Sequence, residues 1–225
     1  MHDLTQGKDS VEALFQRATE LLQHRQRVLI GLAGGPGSGK TTLTSKLVRE
    51  WNERLGSDMV KMIPMDGFHY TLEELDKMDN PEEARARRGA EWTFDARLYA
   101  SLVALVKKVT DCELFAPSFN HSVGAPVQDD IRIHPEHRIL IFEGNYLLLN
   151  KHPWSLAANL YDIKAFLAVD PNTARKRVIQ RHLQAGLCQT EAESAARTDS
   201  NDMVNLDFIQ RNLLEPDFTL HQVDL

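Results

Sequence analysis

Gly34-Gly35-Pro36-Gly37-Ser38-Gly39-Lys40-Thr41, followed by Thr42, is the stretch on which the reading of this chain turns. Two glycines, a lysine and a hydroxyl stand at the spacing of a phosphate-binding loop. The glycines let the backbone curl until successive N–H groups face one anion, and the N-terminus of a following helix adds its dipole. Lys40 then reaches the β- and γ-phosphates, and the Thr41 hydroxyl is placed to ligate Mg²⁺. The flanks supply the context that the motif needs. Residues 27–33 form the apolar run of a buried strand, and 42–51 have the amphipathic spacing of a helix. A glycine-rich turn before an ordinary helix is the plain alternative. The motif implies a bound nucleoside triphosphate and leaves the fate of its γ-phosphate open.

Outward from the loop, apolar strands alternate with helices. Residues 10–25 read as a leading amphipathic helix, with Ser10 as N-cap and Val11, Leu14, Phe15, Ala18, Leu21 and Leu22 on its apolar face. A second strand, 59–65, runs into Asp66-Gly67-Phe68-His69. Asn80-Pro81-Glu82-Glu83 is a helix start with cap, proline and acidic first turn, and Asp95 caps another helix reaching about Val109. Residues 113–119 are strand-like, 138–142 form a short apolar strand ending at Glu143-Gly144, and 163–169 form the next. Asp170-Pro171 opens a helix that Gly186 stops. Helical stretches near 190–198 and 202–214 and a last strand at 217–223 follow. This alternation predicts an α/β fold with a parallel sheet covered on both faces. Ligands of such sheets bind at the carboxyl ends of the strands, where the loop, Asp66 and Glu143 all fall.

The 225 residues carry a formal net charge of −6, with 42% apolar and 26% charged side chains. That is enough chain for one α/β domain with a sizeable core. The acidic balance argues against a general nucleic-acid binder, which would show a basic face. No apolar run approaches a membrane span. Cys112 and Cys188 stand in no metal or redox spacing, and the polar first ten residues resemble neither a secretory signal nor a transit peptide. The expectation is a cytoplasmic protein with residues 1–225 as one domain, 1–26 being its leading helix. No nucleic-acid or membrane partner is expected, and a homodimer is compatible with this reading.

Several groups around the loop have the right chemistry. Asp66 ends a strand and is followed by glycine, so it can accept a proton from a hydroxyl or hold Mg²⁺; a turn-forming Asp-Gly is the alternative. His69 lines the same pocket or packs as a core histidine. Glu143 stands where a second acidic metal ligand is expected. Arg87-Arg88-Gly89 through Asp95 combines cations and aromatics that suit an anionic or polyhydroxyl acceptor, or simply joins two helices. Arg177 and Arg181, four residues apart, share a helix face. They suit a lid that closes cations over phosphates, or a solvated basic face. His134-Pro-Glu-His137 has metal-like spacing but no further ligand beside it, so it is not read as a zinc site.

From about residue 27 onward these motifs resemble the phosphoribulokinase/uridine kinase/pantothenate kinase group of P-loop kinases. Met65-Asp-Gly-Phe-His69 looks like that group's Asp-Gly-Phe motif, and Arg88-Gly89 through Phe94-Asp95 like the segment that follows it in bacterial-type pantothenate kinases. Ala116-Pro-Ser-Phe-Asn-His-Ser122 is similar to their acceptor-site strand, Ile141-Phe-Glu-Gly144 to their metal-site strand, and Asn201-Asp-Met-Val-Asn205 to a segment near their C-terminus. The resemblance implies a three-layer αβα sandwich of the P-loop NTPase type, with a mostly parallel central sheet and a helical lid. It implies ATP and Mg²⁺ as cofactors and a small-molecule acceptor. Asp66 would be the catalytic base, with Thr41 and Glu143 serving Mg²⁺. Arg88 and His121 would contact the acceptor, Arg177 or Arg181 would belong to the lid, and Asn201 or Asn205 would approach the ligands. Phe94 stands where pantothenate kinases tend to have tyrosine, and Ser122–Val127 departs from their pattern, so the acceptor stays open.

A kinase acting on a small-molecule hydroxyl is therefore the leading expectation. An NTP-driven switch or remodelling ATPase is the alternative. Asn150-Lys151-His152-Pro153 begins like a guanine-reading motif but has proline in place of its aspartate. A non-catalytic nucleotide binder is disfavoured by Lys40, Thr41, Asp66 and Glu143 occurring together.

Overall fold

The structure, a computed structural model, describes residues 5–120 and 122–221. The chain begins with α1 (Thr5–Leu22), β1 (Val28–Gly34), α2 (Lys40–Leu55) and β2 (Val60–Pro64). A 3₁₀ turn at Met65–Phe68 leads to α3 (Leu72–Leu75) and α4 (Pro81–Ala86), and a second at Glu91–Thr93 leads to α5 (Ala96–Lys108). Then come β3 (Leu114–Asn120), β4 (Ala125–Ile133), β5 (Ile139–Gly144), α6 (Trp154–Ala158) and β6 (Ile163–Ala168). The remainder is α7 (Pro171–Gln184), α8 (Glu191–Arg197), a π-helical turn at Thr198–Asp202, α9 (Met203–Arg211) and β7 (Phe218–His221).

Five strands form a parallel sheet in the order β2-β5-β1-β6-β7. Every residue of β1 and β5 is buried, as central strands of a doubly covered sheet require. The period-2 alternation of side chains then divides the core. Val28, Ile30 and Leu32 of β1, with Ile139 and Ile141 of β5, pack on Leu14, Phe15 and Ala18 of α1 and Leu47 and Trp51 of α2. Leu29, Ala33, Leu140 and Phe142 point the other way, onto Tyr99 and Val103 of α5, Trp154 of α6 and Ile209 of α9. The result is the expected three-layer αβα sandwich. Helix ends follow the sequence signals: Asn80, Asp95 and Asp170 accept the N–H groups of Glu83, Leu98 and Thr173.

Three expectations need correction. The first helix starts at Thr5, so Ser10 lies within it and does not cap it. The strand at 113–119 is not part of the central sheet: β3 pairs antiparallel with β4, an element the sequence reading missed, in a separate two-stranded sheet. Register shifts between Ala116 and Ser118, at Pro117, which has no N–H to give to a ladder. The last strand covers Phe218–His221, and the remainder of the expected 217–223 run lies outside the described residues.

Candidate active site

Strand order explains why three distant motifs meet. β5 lies between β1 and β2, with Glu143 in register with Leu32 on one side and Pro64 on the other. The loop leaving β1, the Asp66 turn leaving β2 and the end of β5 therefore emerge side by side at one edge of the sheet. A cavity of about 220 Å³ opens there. Lys40, Thr41, Asp66, Glu143 and Arg181 are among its lining residues at the loop end, and His69, Arg88, Asn201 and Asn205 line it further out.

The loop is held by close packing. Gly37 has φ +72°, and a Cβ there would lie 2.5 Å from the Ala174 carbonyl oxygen, so the first turns of α7 rest directly on the loop. Ser38 N–H donates to the Gly35 carbonyl at 3.2 Å, while the buried Ser38 hydroxyl has no partner among the described residues. Gly39 is the left-handed residue before α2, and Thr42 lies in the first turn of that helix. Gly34 ends β1. Lys40 Nζ lies 3.3 Å from the Gly35 carbonyl, and Pro36 joins it in lining the cavity. Burial pushes the Lys40 ammonium below its ordinary pKa, against the pull of Glu143 and Asp66.

Glu143 is 4% exposed. Burial holds its carboxyl above the usual range, with Lys40 and a hydrogen bond from Thr41 pulling the other way. Its buried Oε2 has no partner among the described residues. Asp66 sits in the 3₁₀ turn after β2. The glycine beside it has a physical reason: a Cβ on Gly67 would lie 2.2 Å from the Pro117 carbonyl oxygen, so only glycine lets β3 close on the Asp66 turn. His69 donates from Nδ1 to the Asp66 carbonyl at 2.9 Å and stacks between Phe94 and Phe119, with ring centroids 3.9 and 4.8 Å away.

Arg177 and Arg181, expected to act together, separate. Arg181 lines the cavity and approaches Asp202 at 3.8 Å, whereas Arg177 is absent from the lining and reaches the Gly37 carbonyl at 3.5 Å. Asn201 and Asn205 project into the cavity wall and clamp the Arg88 segment. Asn201 donates to the Arg88 carbonyl at 3.1 Å and Asn205 to the Gly89 carbonyl at 3.3 Å. His121 lies outside the described residues. Asn145, His182, Arg197 and Asp202 also line the cavity. His182 stands on the basic helix that carries Arg177 and Arg181, and Asp202 within the Asn201–Asn205 segment, so the sequence points to both. Asn145 and Arg197 were missed; Asn145, two residues after Glu143 at the end of a strand already singled out, was within reach of sequence reasoning, whereas Arg197 arrives at the end of α8 with no local signal.

Among known proteins, a Schizosaccharomyces pombe protein whose name proposes a uridine kinase is 65% identical over 216 residues, which is 96% of this chain and 92% of that protein. A crystal structure from Silicibacter sp. TM1040, described as a proposed fructose transport system kinase, has a TM-score of 0.82 at 32% identity and covers 93% of this chain and 98% of its own. YFH7 from Saccharomyces cerevisiae, a P-loop protein with a circular permutation, shares the fold at a TM-score of 0.80 and 23% identity, covering 98% of each chain. These likenesses support a small-molecule kinase in general terms. The model of one family matches residues 29–205, from β1 into α9, and the chain belongs to that family, phosphoribulokinase / uridine kinase.

Proposed function

We propose that the protein transfers the γ-phosphoryl group of ATP to a hydroxyl of a small-molecule acceptor. The observation that carries this reading is the Glu143 carboxylate, buried with an unpartnered oxygen beside the Thr41 hydroxyl at the mouth of the phosphate-binding loop. An unpaired buried carboxylate oxygen costs free energy that a hard cation offsets. Glu143 and Thr41 would hold Mg²⁺, with Asp66 a further oxygen donor at the same edge. When bound, the ion neutralises charge on the β- and γ-phosphates.

The chain's own groups account for the rest. Loop N–H groups and Lys40 bind the phosphates. Asp66 takes the proton of the acceptor hydroxyl as that oxygen bonds to the γ-phosphorus. The bond from phosphorus to the β–γ bridging oxygen breaks, ADP leaves with that oxygen, and Asp66 returns the proton to solvent. Arg181 covers the transferring group from α7, while Arg177 fixes that helix to the loop at Gly37. His69 and Arg88 face the acceptor, and Asn201 and Asn205 hold the Arg88 segment.

The test is ADP release from Mg-ATP with and without nucleosides, sugars, sugar phosphates, pantothenate and glycerate. Release that depends on one acceptor, with equimolar phosphorylated acceptor, is the expected result. Release that no acceptor stimulates contradicts the reading and favours an NTPase.

A further inference from the structure

We infer that the acceptor is an oxyanion, a small hydroxylated carboxylate or phosphate monoester, and that Arg88 holds its anionic group while its hydroxyl reaches Asp66. This rests on the kinase reading above and goes beyond it by excluding neutral acceptors.

Among the described residues Arg88 is a cation with no carboxylate paired to it. The arginines beside it in sequence are satisfied: Arg85 pairs with Asp76, and Arg87 donates to Asn205 Oδ1 and the Ser200 carbonyl. Among the described residues Arg88 has one hydrogen bond, from Nη2 to the Tyr70 carbonyl at 3.2 Å, and its buried Nε–H has no partner. Its guanidinium carbon lies 5.6 Å from the Phe119 ring, so one side faces an aromatic wall and not water. Burial lowers its pKa, and the one charge that acts on it, Arg85, has the same sign.

The backbone beneath this cation is clamped from three directions. The Arg88 carbonyl accepts from Asn201, and the Gly89 carbonyl accepts from Asn205 and from the Tyr146 hydroxyl at 2.5 Å. Gly89 N–H donates to Thr93 Oγ1 at 2.9 Å. The side chain is thus presented on a rigid support, in the same cavity as Asp66. A half-buried guanidinium with an unmade hydrogen bond has a desolvation cost that the fold leaves uncompensated. A carboxylate or phosphate offsets that cost with charge-assisted, bidentate hydrogen bonds; a sugar hydroxyl or a uracil ring does so far less. Separating the anion-binding group from the base also orients the acceptor, since only its far end can reach Asp66.

Matched acceptors test this directly: glycerate against glycerol, pantothenate against pantothenol, ribose 5-phosphate against ribose, and uridine as a neutral nucleoside. At least one anionic member should drive ADP release, with kcat/KM at least about tenfold above its neutral partner and above uridine. For that acceptor, Arg88→Ala should raise KM about ten- to a hundredfold while the Kd for ATP stays unchanged, which also shows that the variant is folded. Arg88→Lys should recover part of the loss. A neutral member used as well as its anionic partner, or an Arg88→Ala enzyme with unchanged acceptor KM, overturns the inference and leaves the kinase reading standing. If no member stimulates ADP release, the kinase reading falls and this inference falls with it.

Discussion

Glu143 at the end of β5 and Thr41 in the first turn of α2 line one cavity, where Glu143 Oε2 is buried with no hydrogen-bond partner among the described residues. A carboxyl whose pKa is raised on folding binds its proton more tightly in the folded state, so stability is lost as pH rises through its titration. Glu143→Gln keeps the shape and removes the charge. Without metal, the variant should melt a few degrees above the parent at pH 8. The difference should close as pH falls below about 4, where the carboxyl is protonated in both folded and unfolded chains. Mg-ATP turnover of the same variant should fall at least about a hundredfold. Melting curves across pH, with and without Mg²⁺, check both halves.

Gly67 tests how the acceptor end is built. Its place 2.2 Å (as a Cβ) from the Pro117 carbonyl oxygen leaves no room for a methyl group, and backbone on both sides cannot rotate away. Gly67→Ala should cost about 1–3 kcal/mol of stability through overpacking. It should also push β3 away from the Asp66 turn, lowering kcat more than ATP affinity. Denaturant melts and steady-state kinetics on one preparation separate the two effects.

Arg27 should matter to stability and not to nucleotide binding. It precedes β1 and is 5% exposed. Its guanidinium donates to the carbonyls of His137, Val106, Val109 and His134 at 2.9, 3.0, 2.8 and 3.1 Å. It thereby ties the end of α5 to the turn before β5. Arg27→Met leaves four acceptors short of a donor and should cost roughly 3 kcal/mol, or about 6–12 °C in melting temperature. The Kd for ATP of the folded variant should not change, because Arg27 lies at the opposite end of β1 from the loop.

The central sheet was legible because its strands are short apolar runs, which burial on both faces requires, and because caps such as Asn80 and Asp170 mark helix starts by local chemistry. β4 escaped for the converse reason. Ala125–Ile133 carries Pro126, Gln128, Asp129 and Asp130, most of it exposed, and takes its strand form from pairing with β3. The site divides in the same way. Lys40, Asp66 and Glu143 follow from position at strand ends. Helical periodicity put Arg177 and Arg181 on one face, but only the path of α7 over the loop decides that Arg177 meets Gly37 and Arg181 the cavity. The coupling of Arg87 to Asn205 at 2.8 Å joins segments 118 residues apart and has no local signal.

The proton path is the core of the account, and Asp66→Asn tests it most directly. The substitution preserves size and removes the base. With the acceptor identified from the matched panel, kcat should fall by about 10²–10⁴ while the Kd for ATP changes by less than about twofold. Acceptor phosphorylation that continues undiminished in Asp66→Asn would contradict the account.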